Sequence, residues 1–126
     1  MYVFRNENPK GKKTTDCVIR AITTATGKTY EEVARELLEW SLKTGFAFND
    51  KRCYQKYLES LGFKKQKQVK KSSGKWYSIS EIAERIENGL VHATSHLTCI
   101  KDGNVYDTWD CSKKKAGMFY VREDQK

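Results

Sequence analysis

The apolar residues of this chain change their spacing part-way along it, and that change sets the class of fold. In the first half they recur every three or four residues, the period of helices that bury one face. Val18, Ile19, Ala21, Ile22 and Ala25 form one stripe, with Asp16 as N-cap or first-turn residue and Gly27 as the stop. Thr29-Tyr30-Glu31-Glu32 is a capping box ahead of Val33, Ala34, Leu37, Leu38 and Trp40, closed by Gly45. A third helix is predicted from about Asp50 to Leu61, with Tyr54, Tyr57, Leu58 and Leu61 on one face and Gly62 beyond its end. Ser78-Ile79-Ser80-Glu81 is a second capping box and predicts a short helix through Ile82 and Ile86 to Gly89. Strand signals follow. Leu90–Thr94 and His96–Lys101 are two candidates, and Asp102-Gly103 is a two-residue hairpin turn that sends Asn104–Trp109 back antiparallel. Met118–Arg122 reads as a last strand. Helices first and strands second predict an α+β fold, with N-terminal helices packed on a C-terminal antiparallel sheet in one domain over 1–126.

Composition decides whether such a fold has a core. Leu, Ile, Val and Phe supply only 25 of 126 residues, and the net charge is +8, close to the composition of disordered chains. Seven Tyr and three Trp tip the balance back towards folding, because each large ring buries roughly 150–250 Å². No apolar run approaches the roughly 20 residues of a membrane span. The N-terminal residues turn polar too early for a secretory signal, which predicts a protein of the cytoplasm.

The basic excess is local. Lys64–Lys75 holds six lysines and no acid, Lys113-Lys114-Lys115 is a second cluster, and Lys10, Lys12 and Lys13 form a third. Such clusters solvate loops, or they meet nucleic acid or an acidic protein. Trp76-Tyr77 beside the first cluster is the one candidate stacking pair. The 64–75 stretch reads as a long loop or edge hairpin.

Cys17, Cys53, Cys99 and Cys111 lie far apart with no C-x-x-C pair. A reduced cytoplasmic setting argues against a disulfide framework, and the spacing argues against zinc held by Cys99, Cys111 and a histidine. No cofactor or metal is therefore expected. Cys17 stands apart because it opens the first helix, where unpaired N–H groups and the helix dipole favour a thiolate.

A thiolate nucleophile needs an imidazole, and the chain offers only His92 and His96. With Asp102-Gly103 as the turn, Lys101 faces Asn104, Cys99 faces Tyr106, Thr98 faces Asp107 and His96 faces Trp109. Opposed residues share a face, so Asp107 is the diagonal neighbour of His96. Asp110 points away, and His92 lies outside this hairpin. A carboxylate beside an imidazole fixes its tautomer and stabilises the imidazolium.

The order of these groups resembles the papain-like cysteine peptidases. Asp107-Thr108-Trp109 is similar to the Asn-Ser-Trp of papain-type enzymes, and Asp16-Cys17 to the acid-Cys pair of bacteriocin-processing (double-glycine) peptidases. Asp16-Cys17-Val18-Ile19-Arg20-Ala21-Ile22, Arg52-Cys53-Tyr54, Ser95-His96 and Asp107-Thr108-Trp109-Asp110-Cys111-Ser112 resemble small phage and prophage proteins with this layout. The resemblance implies a Cys17-His96-Asp107 triad in a bacterial cytoplasm, acting on an amide bond of a peptide or protein substrate. It also exposes a departure. Papain-like enzymes carry a Gln about six residues before the Cys as oxyanion donor, and here that position is Gly11. Asn8, ahead of Asn6, is the substitute amide. Two readings stay open: a cysteine hydrolase or acyltransferase, and a non-catalytic phage protein whose basic surface engages nucleic acid or an acidic host protein. In either reading the substrate-side walls are expected from 46–53 and 64–77.

Overall fold

A computed structural model describes residues 1–122 as four helices and a six-stranded sheet, an α+β arrangement. In chain order the elements are β1 (Tyr2–Phe4), α1 (Cys17–Thr26), α2 (Tyr30–Thr44), α3 (Lys51–Ser60), β2 (Phe63–Gln66), α4 (Ile79–Ala83), β3 (Gly89–Ala93), β4 (His96–Lys101), β5 (Asn104–Asp107) and β6 (Phe119–Arg122). The sheet runs β1-β5-β4-β3-β6-β2.

Local chemistry places the elements where the sequence predicts them. Both capping boxes form: the Thr29 and Ser78 hydroxyls accept from the backbone of Glu32 and Glu81, whose carboxylates reach back to the cap N–H groups. Asp102 and Gly103 both take positive φ, 53° and 77°, the pair a type I′ hairpin turn needs. The β4–β5 register follows, with Cys99 opposite Tyr106 and Lys101 opposite Asn104.

Four details differ. The sheet is not wholly antiparallel, because β1 pairs parallel with β5. The basic stretch starts as an edge strand, β2 against β6, before a tight turn in which Lys70 pairs with Trp76. The fourth helix stops at Ala83, short of Ile86 and Gly89. The hairpin ladder ends at Cys99–Tyr106, so the outer pairs Thr98–Asp107 and His96–Trp109 do not form. Past that point β5 is held from its other side, where Phe4 pairs with Asp107 and the Arg5 N–H donates to the Asp107 carbonyl at 2.8 Å.

Alternation along the strands gives two cores. Leu90, Leu97, Cys99 and Tyr120 face α1–α3 and meet Val18, Ile22, Leu37, Tyr54, Tyr57 and Leu58. Val91, Ile100 and Val105 face the other way, onto Ile79, Ile82, Cys111 and Ala116. β3 and β6 approach closely at Gly89, where a Cβ would stand 2.6 Å from the Tyr120 carbonyl oxygen. Among the described residues no helix is long and apolar enough to cross a membrane.

Candidate active site

Three elements end at one place: the N-terminus of α1, the start of β4 and the end of β5. They deliver Cys17 and His96 to a cleft of about 770 Å³, with Asp107 buried behind the imidazole. Cys17 is the first helical residue. The preceding Asp16 makes no side-chain cap, which leaves the first-turn N–H groups without that partner. Its carboxylate turns inward instead.

His96 Nε2 lies 2.6 Å from Asp107 Oδ2, which leaves Nδ1 as the ring nitrogen for the thiol. The tilted Trp109 ring covers the imidazole, with centroids 5.0 Å apart. Burial alone pulls the imidazole down. Hydrogen bonds to Asp107, Cys111 and Cys17, with the Asp107 charge, outweigh it and hold His96 well above its ordinary range. Burial pushes the Asp107 carboxyl up, and bonds from His96, Thr98 and the Thr108 backbone reverse that into a net downward shift. Cys17 follows the same logic. Burial raises its thiol, but hydrogen bonds with His96 and the Leu97 backbone, and the charges of His96 and Arg20, leave it below the usual thiol value. Thiolate, imidazolium and carboxylate therefore stabilise one another, and their titrations belong to the set.

A buried ionic network lies behind them. Arg20, one turn after Cys17, donates from Nε to Asp16 Oδ1 at 2.7 Å and from Nη1 to Asp107 Oδ1 at 3.1 Å. The other Asp16 oxygen accepts from Tyr30 at 2.8 Å and Asn8 at 3.0 Å. All three charged residues are nearly closed to solvent: Arg20 is 7% exposed, and Asp16 and Asp107 are 4% each. The two acids are balanced by Arg20 and the imidazolium. The bridge also ties the helix that carries the thiol to the strand that carries the carboxylate.

The structure thus brings together Cys17, His96 and Asp107, and excludes others. Asp110 is exposed and bonds Ser112. His92 lines the cleft but bonds neither Asp107 nor the thiol; burial and the charges of Lys51 and His96 hold it below its ordinary value. Asn8, the expected oxyanion amide, donates its Nδ2 to Asp16 and is not among the residues that line the cleft, whereas Asn49 is. The walls are formed by 13–15, 47–51 and 108–109, and not by 64–77, whose chain turns away along the β6 edge. Cys99 and Cys111 lie in the two cores on opposite sides of the sheet.

Two residues of the site escape a reading of periodicity. Arg20 sits in a helix whose neighbouring positions Val18, Ala21 and Ile22 are all buried. A charge inside an apolar stripe, four residues after an acid, is the signal that could have found it. Cys111 places Sγ 3.5 Å from Asp107 Oδ2. His96, Asp107 and Cys111 bring their donor atoms within 4.8 Å of one another, yet the imidazole and Arg20 already occupy the carboxylate.

Compared with family models, curated proteins and solved structures, the chain finds no match in any of the three. Its α+β class and this cleft are therefore established from its own residues.

Proposed function

We propose that the chain is a papain-like cysteine hydrolase or acyltransferase acting on amide bonds of a peptide or protein. Cys17 is the nucleophile, His96 the general base and acid, and Asp107 the group that orients the imidazole. The supporting observation is the contact line from Cys17 through His96 to Asp107 Oδ2, with Cys17 and His96 lining the cleft. In this reading the thiolate attacks the carbonyl carbon, and the first-turn N–H groups of α1 receive the oxyanion. His96 then protonates the leaving amine, and a thioester remains on Cys17. Water or a second amine, deprotonated by His96, attacks the thioester and restores the thiol–imidazole pair. The phage origin and bacterial cytoplasmic setting rest on the sequence resemblance and belong to the same proposal.

A second reading, a binding protein that keeps the layout without turnover, is favoured by one observation. The amide of Asn8 is committed to Asp16, and Gly11 stands where the papain-like enzymes have Gln.

Brief iodoacetamide treatment with mass mapping tests the thiol chemistry. Labelling should fall on Cys17 near pH 6, where an ordinary thiol of pKa about 8.5 is almost wholly protonated. Cys53 and Cys99 should lag, since burial pushes the former up and the latter to about 12. Cys17→Ser should abolish the fast label, and His96→Ala should move it to higher pH. Four thiols reacting alike, and only above about pH 8, would make Cys17 an ordinary cysteine.

A further inference from the structure

Two lysine clusters that lie some 40 residues apart in sequence meet on one surface. The chain at 69–71 runs beside 75–77, where Lys70 pairs with Trp76 and the Tyr77 N–H donates to the Val69 carbonyl at 3.2 Å. The same segment is flanked on its other side by 114–116. Ser78 pairs there with Lys115, the Ile79 N–H donates to the Lys114 carbonyl at 2.9 Å, and the Ala116 N–H donates to the Tyr77 carbonyl at 2.8 Å. Gln68 closes the outer edge by donating to the Ala116 carbonyl at 2.9 Å.

This pairing sorts the side chains. Trp76 and Ser78 are two residues apart in extended chain and so share a face, and opposed residues share it with them. Lys70, Trp76, Ser78 and Lys115 therefore stand together, with the Lys70 ammonium 4.7 Å above the indole centroid. Tyr77 points the other way, its ring under Arg85 and its hydroxyl bonded to that guanidinium. Lys70 and Lys115 are exposed and Trp76 is half-buried. Glu81 neutralises Lys71 alone, at 2.6 Å; Lys75, Lys114 and Lys115 have no carboxylate at ion-pair distance among the described residues.

We propose that this face binds single-stranded nucleic acid. A base stacks on Trp76 once the Lys70 ammonium moves from the ring to a phosphate, and Lys115 takes an adjoining phosphate. Lysines alone would hold any polyanion. The indole set between them is what selects a ligand whose charges alternate with flat rings. None of these residues lines the thiol cleft, so the inference does not depend on the chemistry there.

The test is fluorescence anisotropy of the whole chain with a labelled oligothymidylate of about 16 nucleotides, between roughly 50 and 200 mM salt. Affinity should fall linearly in a log–log plot. Lys70→Gln with Lys115→Gln should weaken binding and flatten the slope by about 1.4, since each phosphate contact on a single strand contributes about 0.7. Trp76→Leu should weaken binding roughly tenfold with the slope kept. Urea unfolding followed by far-ultraviolet circular dichroism reports whether each variant folds, and the lysine pair decides alone if Trp76→Leu does not. Salt-independent binding, variants that bind like the wild type, a duplex bound as tightly, or poly-glutamate competing equally well would each overturn the proposal.

Discussion

Replacing Arg20 by Met keeps most of the buried stem and removes the guanidinium between Asp16 and Asp107. Both carboxylates then remain inside the protein with one cation fewer. Removing one partner of a buried ion pair costs about 3–5 kcal/mol, because the remaining charge is uncompensated. The lost bonds give the same scale, at about 1.5–3 kcal/mol for each of the two made to a charged acceptor. A loss of about 4 kcal/mol is a large share of the roughly 5–15 kcal/mol that folds a typical domain. Urea unfolding followed by far-ultraviolet circular dichroism measures it.

The pH dependence gives a sharper check. In the wild type both aspartates titrate below their unfolded value, so their contribution is present above about pH 4 and fades as pH falls through the folded values. Without Arg20 the downward pull on Asp16 weakens and burial pushes its carboxyl up, while His96, Thr98 and the Thr108 backbone still hold Asp107 down. The deficit of Arg20→Met should therefore be largest at pH 7 and shrink towards pH 4, as the stranded Asp16 carboxylate takes up a proton. Arg20→Lys should recover only part of it, since one ammonium cannot fork between two acids. A loss under about 1 kcal/mol, or one that is the same at pH 7 and pH 4, would refute the reasoning. Asn8, Tyr30 and Thr108 would then suffice to satisfy the acids.

Two further substitutions probe different parts of the fold. Asp107→Asn removes the charge that helps hold His96 above its ordinary range, so the pH profile of Cys17 alkylation should shift upward. An unmoved profile would leave Asp107 with a packing role only. Gly89→Ala places a methyl 2.6 Å from the Tyr120 carbonyl oxygen and 2.9 Å from Ile86 Cδ1. It should cost about 1–3 kcal/mol in urea unfolding, and a change within about 0.5 kcal/mol would show that β3 and β6 part freely.

The parts of the fold that the sequence announces are those written in short-range chemistry. Thr29 with Glu32, Ser78 with Glu81, and Asp102 with Gly103 each specify a local geometry, and each forms. The hairpin register carries the His96–Asp107 contact even though its outer pairs never form, because β1 rather than β4 supports the last residue of β5. Long-range partners leave no such mark. The three residues of β1 find their mates a hundred positions later, and β2 is mostly lysine and glutamine with only Phe63 buried. Half of what explains Arg20 is legible, as Asp16 four residues before it, but Asp107 lies 87 residues on. The papain-like resemblance implies an oxyanion amide from Asn8, whereas in the fold that amide donates to the buried Asp16 carboxylate.

The parallel pairing of β1 with β5 also has a consequence for how the protein is made. During synthesis Cys17 leaves the ribosome 79 residues before His96, and β1 must wait for β5 to supply its mates. Until that second half emerges, the nascent thiol has no imidazole beside it and titrates as an ordinary cysteine. The downward shift of its pKa therefore arrives late, with completion of the sheet, and a ribosome stalled before β4 displays a chain whose Cys17 is still an ordinary thiol.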